Sequence, residues 1–238
     1  MEKEELKKNL EMVQTRIQSA LGRVGRKPGE VKLVAVSKTK SVELIQLALE
    51  LGQYDFGENY VQELRDKANQ INHPEIHWHY IGSLQKNKVK YLVGRVVLIH
   101  SVDSLALVEE IEKRFSAGGE KILILLEVKL SEEETKSGVK PEGLVELAER
   151  ALSKKAIELK GLMTMPPYFP DPESARPYYR KLREIKEDLE KKLNLGLPEL
   201  SMGMSNDFEV AIEEGATIVR IGTIIFGERE QCKVSMAD

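Results

Sequence analysis

The chain has one cysteine among its 238 residues, Cys232 near the C-terminus. A lone thiol closes no disulfide within the chain, and no cysteine cluster stands ready to hold a metal. Long apolar runs are missing too. The start, Met1-Glu2-Lys3-Glu4-Glu5, lacks the apolar core of a signal peptide, and no stretch reaches the length of a membrane span. The expected location is a reducing cytoplasm. Nor is there an excess of one charge: 36 Lys and Arg against 39 Asp and Glu leave a formal net charge of -3. Nucleic acid is therefore not an expected partner. The lysine pairs at 7–8, 154–155 and 191–192 sit in mixed-charge, helix-like surroundings and read as solvated helix faces. No linker, low-complexity stretch or second domain interrupts the sequence, so residues 1–238 are expected to form one domain.

What is present fits a soluble globular protein, with 41% hydrophobic and 32% charged residues. Residues 2–21 read as a helix, because Leu6, Leu10, Val13, Ile17 and Leu21 recur at three- and four-residue steps. From residue 31 an alternation begins. Apolar, β-branched runs at 31–37, 53–57, 76–81, 96–101, 122–130, 157–163, 199–204 and 217–222 give eight candidate strands. Helical patterns separate them at 41–51, 58–70, 86–92, 104–115, 141–152, 173–193 and 206–214. Runs such as Leu33-Val34-Ala35-Val36 are apolar on both parities, as parallel strands buried on two faces require. The strand number and chain length favour a single (β/α)8 TIM barrel with an extra N-terminal helix over an open doubly wound sheet. Pro166 to Pro172 reads as a stiff rim loop.

In such a barrel, function gathers at the C-terminal strand ends. Lys38 follows the first apolar strand. A lysine held partly out of water loses proton affinity and becomes a carbonyl nucleophile, whereas an ordinary strand-end lysine simply reaches solvent. After strand two, Glu58 reads as a residue near a helix start and Asn59 as a polar group facing the site. In strand three, His77 and His79 share one face. No carboxylate or cysteine partner is evident for a metal there, so packed, hydrogen-bonded histidines are preferred. Asp103 or Ser104 reads as an N-cap. The ends of strands seven and eight carry Ser205 before a helix, and Gly222-Thr223. Small residues let backbone N–H groups approach an anion, and these two loops are the usual phosphate site of barrels. An N-cap and a tight turn are the plainer readings. Arg220 stands within an apolar strand on the parity of Gly222 and needs a partner. A carbonyl-reactive lysine, a phosphate cradle and an inward arginine together suit a phosphorylated aldehyde, of which pyridoxal 5'-phosphate (PLP) is an example.

Eight segments carry a specific resemblance: 34–40 (Val-Ala-Val-Ser-Lys-Thr-Lys), 56–63 (Phe-Gly-Glu-Asn-Tyr-Val-Gln-Glu), 77–82 (His-Trp-His-Tyr-Ile-Gly), 101–104, 136–138 (Lys-Ser-Gly), 161–163, 200–207 (Leu-Ser-Met-Gly-Met-Ser-Asn-Asp) and 219–223 (Val-Arg-Ile-Gly-Thr). In this order they resemble the family of PLP homeostasis proteins, which share a fold with the barrel domain of alanine racemases. The resemblance implies an internal aldimine at Lys38, phosphate contacts from Ser205, Gly222 and Thr223, Arg220 near the pyridine nitrogen, and Asn59 close to the cofactor. Ser83 stands where proline is expected and Lys129 where asparagine is common, which puts rim contacts in doubt.

The resemblance also implies a function in binding, buffering and delivering PLP, with PLP-dependent apoenzymes as partners and no catalytic residue of its own. Arg220 at the ring nitrogen would leave that nitrogen unprotonated and the ring a weak electron sink. Alanine racemases add a tyrosine from a second, β-rich domain, and no such domain is expected after Thr223. The chain is expected to act as a monomer. A weak PLP-dependent amino-acid racemase is the first alternative, a Schiff-base aldolase the second, and an interaction module the last.

Overall fold

The computed structural model describes residues 1–131, 133 and 137–228. Cys232, the tail from residue 229 and Lys136 of the matching segment 136–138 lie outside the described residues.

Eight strands close into a barrel in chain order: β1 (Lys32–Val36), β2 (Asp55–Glu58), β3 (His77–Tyr80), β4 (Val96–Val102), β5 (Ile122–Glu127), β6 (Ile157–Met163), β7 (Glu199–Ser201) and β8 (Ile218–Ile221). Every neighbouring pair is parallel. Closure is made between β8 and β1, with Lys32 opposite Ile218 and Ala35 opposite Ile221. The helices are α1 (Lys3–Arg23), α2 (Val42–Glu50), α3 (Val61–Gln70), α4 (Leu105–Gly118), α5 (Leu144–Leu152), α6 (Arg176–Leu193), α7 (Phe208–Glu213) and α8 (Thr223–Phe226).

The two parities of each strand do different work. Val34, Leu98, Leu125, Met163 and Ile218 meet in the lumen as a small separate cluster. Leu33, Ala35, Ile99, Ile124, Leu126, Leu162, Val219 and Ile221 face the helices within the main core. Burial on both sides is why the strand sequences show so little polar alternation. Helix α1 stands outside the β/α alternation. Its stripe of Leu6, Leu10, Val13, Ile17 and Leu21 is buried, Arg16 and Arg23 pair with Glu209 and Glu213 of α7 at 2.7 Å, and Asn9 donates to the Ile225 carbonyl of α8 at 3.0 Å.

Several boundaries differ from the sequence expectation. Segment 86–92 forms a 3-10 helix, Lys86–Tyr91, that buries Val89 alone, too narrow a stripe to hold a full α-helix. The second strand begins at Asp55 rather than 53, because Gln53 is buried as a brace and donates to the carbonyls of Leu33 (3.0 Å) and Asp55 (2.7 Å). The seventh strand stops at Ser201. Gly203, at φ +93°, then turns the chain away in a conformation that disfavours a side chain. A Cβ there would also lie 2.6 Å from the Ala211 side chain. Ser104 occupies the N-cap position of α4 without a side-chain capping bond. Residues 223–226, unassigned from sequence, form α8. No described helix is long and apolar enough to cross a membrane.

Candidate cofactor site at the barrel mouth

The six residues singled out by sequence, Lys38, Asn59, Ser205, Arg220, Gly222 and Thr223, all line one cavity of about 300 Å³ at the C-terminal strand ends. Val36, Ile81, Met165, Tyr168, Met204, Asn206 and Asp207 complete its walls. A second cavity, about 330 Å³, shares Met165, Tyr168 and Met204 with the first and is walled by Glu127, Val128 and Lys129 on the β5 side. A larger groove of about 750 Å³ runs between Lys140–Glu142 and the start of α6, and collects none of the six.

Lys38 is half-buried and sits in a tight turn, Ser37 to Lys40, closed by the Lys40 N–H on the Ser37 carbonyl at 3.0 Å. Thr39, the third residue of that turn, has φ +65°. A β-branched residue in the left-handed region is strained, and the surroundings must hold it. They do so through α3. Glu63 accepts from the Thr39 N–H at 2.5 Å. Lys67 uses all three of its donors, on the Ser37 carbonyl (2.7 Å), Glu58 Oε1 (2.8 Å) and Glu63 Oε1 (2.7 Å). The Ser37 hydroxyl also donates to Glu58 Oε1 at 2.6 Å. Glu58 is thus no helix-start residue. It ends β2, fully buried, and burial pushes its carboxyl up despite the attraction of Lys67. Lys40 is engaged elsewhere: its Nζ donates to the carbonyls of Phe226, Gly227 and Glu228 at the end of α8.

Asn59 is placed by Gly82. A Cβ on Gly82 would lie 2.2 Å from the Asn59 carbonyl oxygen, so only glycine lets the β2 and β3 ends approach this closely. The single proton of the Tyr80 hydroxyl is shared between the carbonyls of Asn59 (3.1 Å) and Ser83 (3.0 Å), and the Ser101 hydroxyl donates to that of Gly82 (2.5 Å). Asn59 Oδ1 is buried and has no hydrogen-bond partner among the described residues.

Ser205 and Gly222 meet across β7 and β8, where the Gly222 N–H donates to Ser205 Oγ at 3.4 Å. Ser205 is not the cap of α7. That position belongs to Asp207, whose Oδ1 accepts from the Met204 N–H at 2.7 Å. A Cβ on Gly222 would lie 3.1 Å from the Val36 carbonyl oxygen, so the absence of a side chain lets the β8 end lie close against β1. Thr223 begins α8.

Arg220 is 3% exposed. Its Nη1 donates to Ser201 Oγ at 2.5 Å and its Nη2 to the Thr164 carbonyl at 3.0 Å. Burial pushes the guanidinium below the ordinary arginine range, opposed by the charges of Tyr179, Glu127 and Asp207.

Sequence reasoning missed Glu127, the last residue of β5, which is buried. Burial and the nearby Asp103 push its carboxyl up to about 7, against the pull of Arg220. It also missed His100, an imidazole in the run Val96–Val102; a polar residue inside so apolar a strand was the available signal. His79 has the carboxylate neighbour that the sequence did not reveal, with Nε2 2.9 Å from Asp55 Oδ1. Its Nδ1 lies 3.0 Å from His100 Nε2, so both ring nitrogens are taken. No group of three potential metal ligands occurs among the described residues.

Comparisons with known proteins give the family. A family model described as alanine racemase, N-terminal domain, matches residues 4–230. The pyridoxal phosphate homeostasis protein of Aquifex aeolicus is 51% identical over 221 residues, covering 93% of this chain and 97% of that protein. The human pyridoxal phosphate homeostasis protein is 39% identical, over 96% of this chain and 88% of its own. PipY of Synechococcus elongatus, solved with PLP bound, superposes with a TM-score of 0.79 at 34% identity, covering 89% of this chain and all of that one. The chain belongs to the family of pyridoxal phosphate homeostasis proteins.

Proposed function

We propose that this chain binds PLP through a Schiff base to Lys38 and serves to hold the cofactor and hand it to PLP-dependent apoenzymes. One observation carries the reading: a half-buried lysine, a buried arginine and the Ser205–Gly222–Thr223 edge converge on one cavity of about 300 Å³. Two features fit the group. The buried Asn59 Oδ1, without a partner among the described residues, is available to a polar ligand, and the Gly222 N–H and Ser205 Oγ lie side by side on the cavity wall, where an anion could accept from them.

When bound, PLP supplies an aldehyde carbon and an electron-withdrawing ring. Lys38 would be the residue that holds the group covalently, with Nζ as the nucleophile toward that carbon. Ser205, Gly222 and Thr223 would hold the phosphate, since the first N–H groups of α8 have no acceptor within their own helix. Arg220, which lines the same cavity, would hold the ring at its nitrogen. A guanidinium does not surrender its proton, so that nitrogen stays unprotonated and draws electrons weakly. That property suits storage over turnover. In this reading the chain works as a monomer in the cytoplasm, in keeping with its single cysteine.

The test is transfer. Loaded protein is mixed with a PLP-dependent apoenzyme while a phosphatase destroys released PLP. Recovery of the apoenzyme's activity is expected, and none would contradict delivery. A weak amino-acid racemase is the second reading, favoured by Glu127, a buried acid titrating at about 7 beside the adjoining cavity. Chiral analysis of single-enantiomer amino acids after incubation decides it. Turnover that Glu127→Gln abolishes would favour the racemase.

A further inference from the structure

Four hydrogen bonds cross the barrel lumen from Arg220 to Asp55, at the opposite end of the strands. Arg220 Nη1 lies 2.5 Å from Ser201 Oγ, Ser201 Oγ 2.8 Å from His100 Nδ1, His100 Nε2 3.0 Å from His79 Nδ1, and His79 Nε2 2.9 Å from Asp55 Oδ1. Ser201, His100 and His79 are buried, and the apolar side chains of Val34, Leu98, Leu125, Met163 and Ile218 fill the lumen around them.

The two ends fix the direction of the chain. A guanidinium only donates, and a carboxylate only accepts. Burial holds both imidazoles below the usual histidine range, most strongly His100, so they are neutral with one proton each. Asp55 stays ionised: burial raises its carboxyl, but the hydrogen bond from His79 and the nearby Lys32 charge bring it below the ordinary value. His79 must then donate from Nε2 and accept at Nδ1. His100 must donate from Nε2 to His79 and accept at Nδ1 from the Ser201 hydroxyl. Ser201 keeps its lone pairs for Arg220. The opposite arrangement would set the bare Nε2 of His79 against a carboxylate, so a single direction satisfies every group.

We infer that Ser201, His100, His79 and Asp55 are positioning residues that orient Arg220 toward the cofactor ring. The chain ends on a group that does not give up its proton, so it orients and polarises and moves no proton to the ligand. Each bond strengthens the next, and the Asp55 charge at the far end sets their common sense. Thr164 holds the second arm of the fork. The guanidinium is thereby fixed on two sides, in a position the PLP reading above assigns to the ring nitrogen.

The first arm of the test needs no cofactor. Nitrogen-15 NMR of the PLP-free protein labelled in histidine should show both buried imidazoles neutral at pH 7 and protonated at Nε2. Protonation of either at Nδ1, or of both its nitrogens, overturns the directed chain. The second arm uses Asp55→Leu and Asp55→Asn, loaded with PLP. Asp55→Leu should weaken PLP binding about 10-fold, the scale of one hydrogen bond to a charged group, and move the absorbance band of the bound cofactor. Asp55→Asn keeps an acceptor oxygen and should restore most of both. If Asp55→Leu melts as the parent does and leaves band and affinity unchanged, the chain is scaffolding alone and the inference fails. Should Asp55→Leu not fold, the NMR arm still decides. A parent protein that binds no PLP but shows the stated tautomers would sink the cofactor reading and leave the directed chain standing.

Discussion

Lys67 Nζ lies 2.8 Å from Glu58 Oε1, and the two side chains are 7% and 0% exposed. This pair ties the Lys38 turn to the end of β2. Removing one partner of a buried pair strands the other. Lys67→Met should therefore destabilise the protein by about 3–5 kcal/mol, with Lys67→Met/Glu58→Met losing less. Without Lys67 the Glu58 carboxyl rises further, and a raised carboxyl costs stability as pH climbs through it. The deficit of Lys67→Met should thus grow with pH, which urea unfolding at two pH values will check.

Gly82→Ala would push a methyl against the Asn59 carbonyl, 2.2 Å from an ideal Cβ. The clash is with backbone, so the β2 end must move, and Asn59 with it. PLP affinity should fall by at least about 10-fold, the effect of misplacing one polar contact. Equilibrium dialysis against PLP measures it. Retained affinity would mean Asn59 makes no contact with the cofactor.

Glu127 gives a pH dependence of known sign. Its carboxyl is pushed up to about 7 by burial and Asp103. The folded state then holds a proton that the unfolded chain has released above the ordinary glutamate range. Stability from this group is fully present below about 4.3 and lost as pH rises through 7. Glu127→Gln removes the titration. The parent should lose stability relative to the variant between pH 5 and pH 8, read as melting temperatures of the PLP-free proteins. Parallel profiles would show that Glu127 does not titrate there.

The parts legible in the sequence and the parts hidden from it divide on physical grounds. Eight strands and the inward Arg220 were readable because a strand buried on both faces leaves a continuous apolar trace, and a charge inside one stands out. Lys38, Asn59, Ser205, Gly222 and Thr223 were placed by lying at strand ends. The supports were hidden. Lys67 belongs to the buried side of α3 with Val61 and Leu64, a position where a lysine signals a buried partner, but nothing local says that the partner is Glu58. His100 meets His79 across 21 residues and Ser201 across 101, pairings that only barrel closure creates. The helical pattern read at 86–92 is a 3-10 rather than an α-helix, and the short α8 escaped because it is too brief to show a full helical period.

The central claim is a covalent bond at Lys38, and borohydride reduction tests it most directly. Protein incubated with PLP, reduced and digested, should yield one peptide carrying the pyridoxyl mass on Lys38, and Lys38→Ala should lose both the adduct and the visible absorbance of the loaded protein. An adduct confined to other lysines, or absorbance that survives Lys38→Ala, would contradict the account.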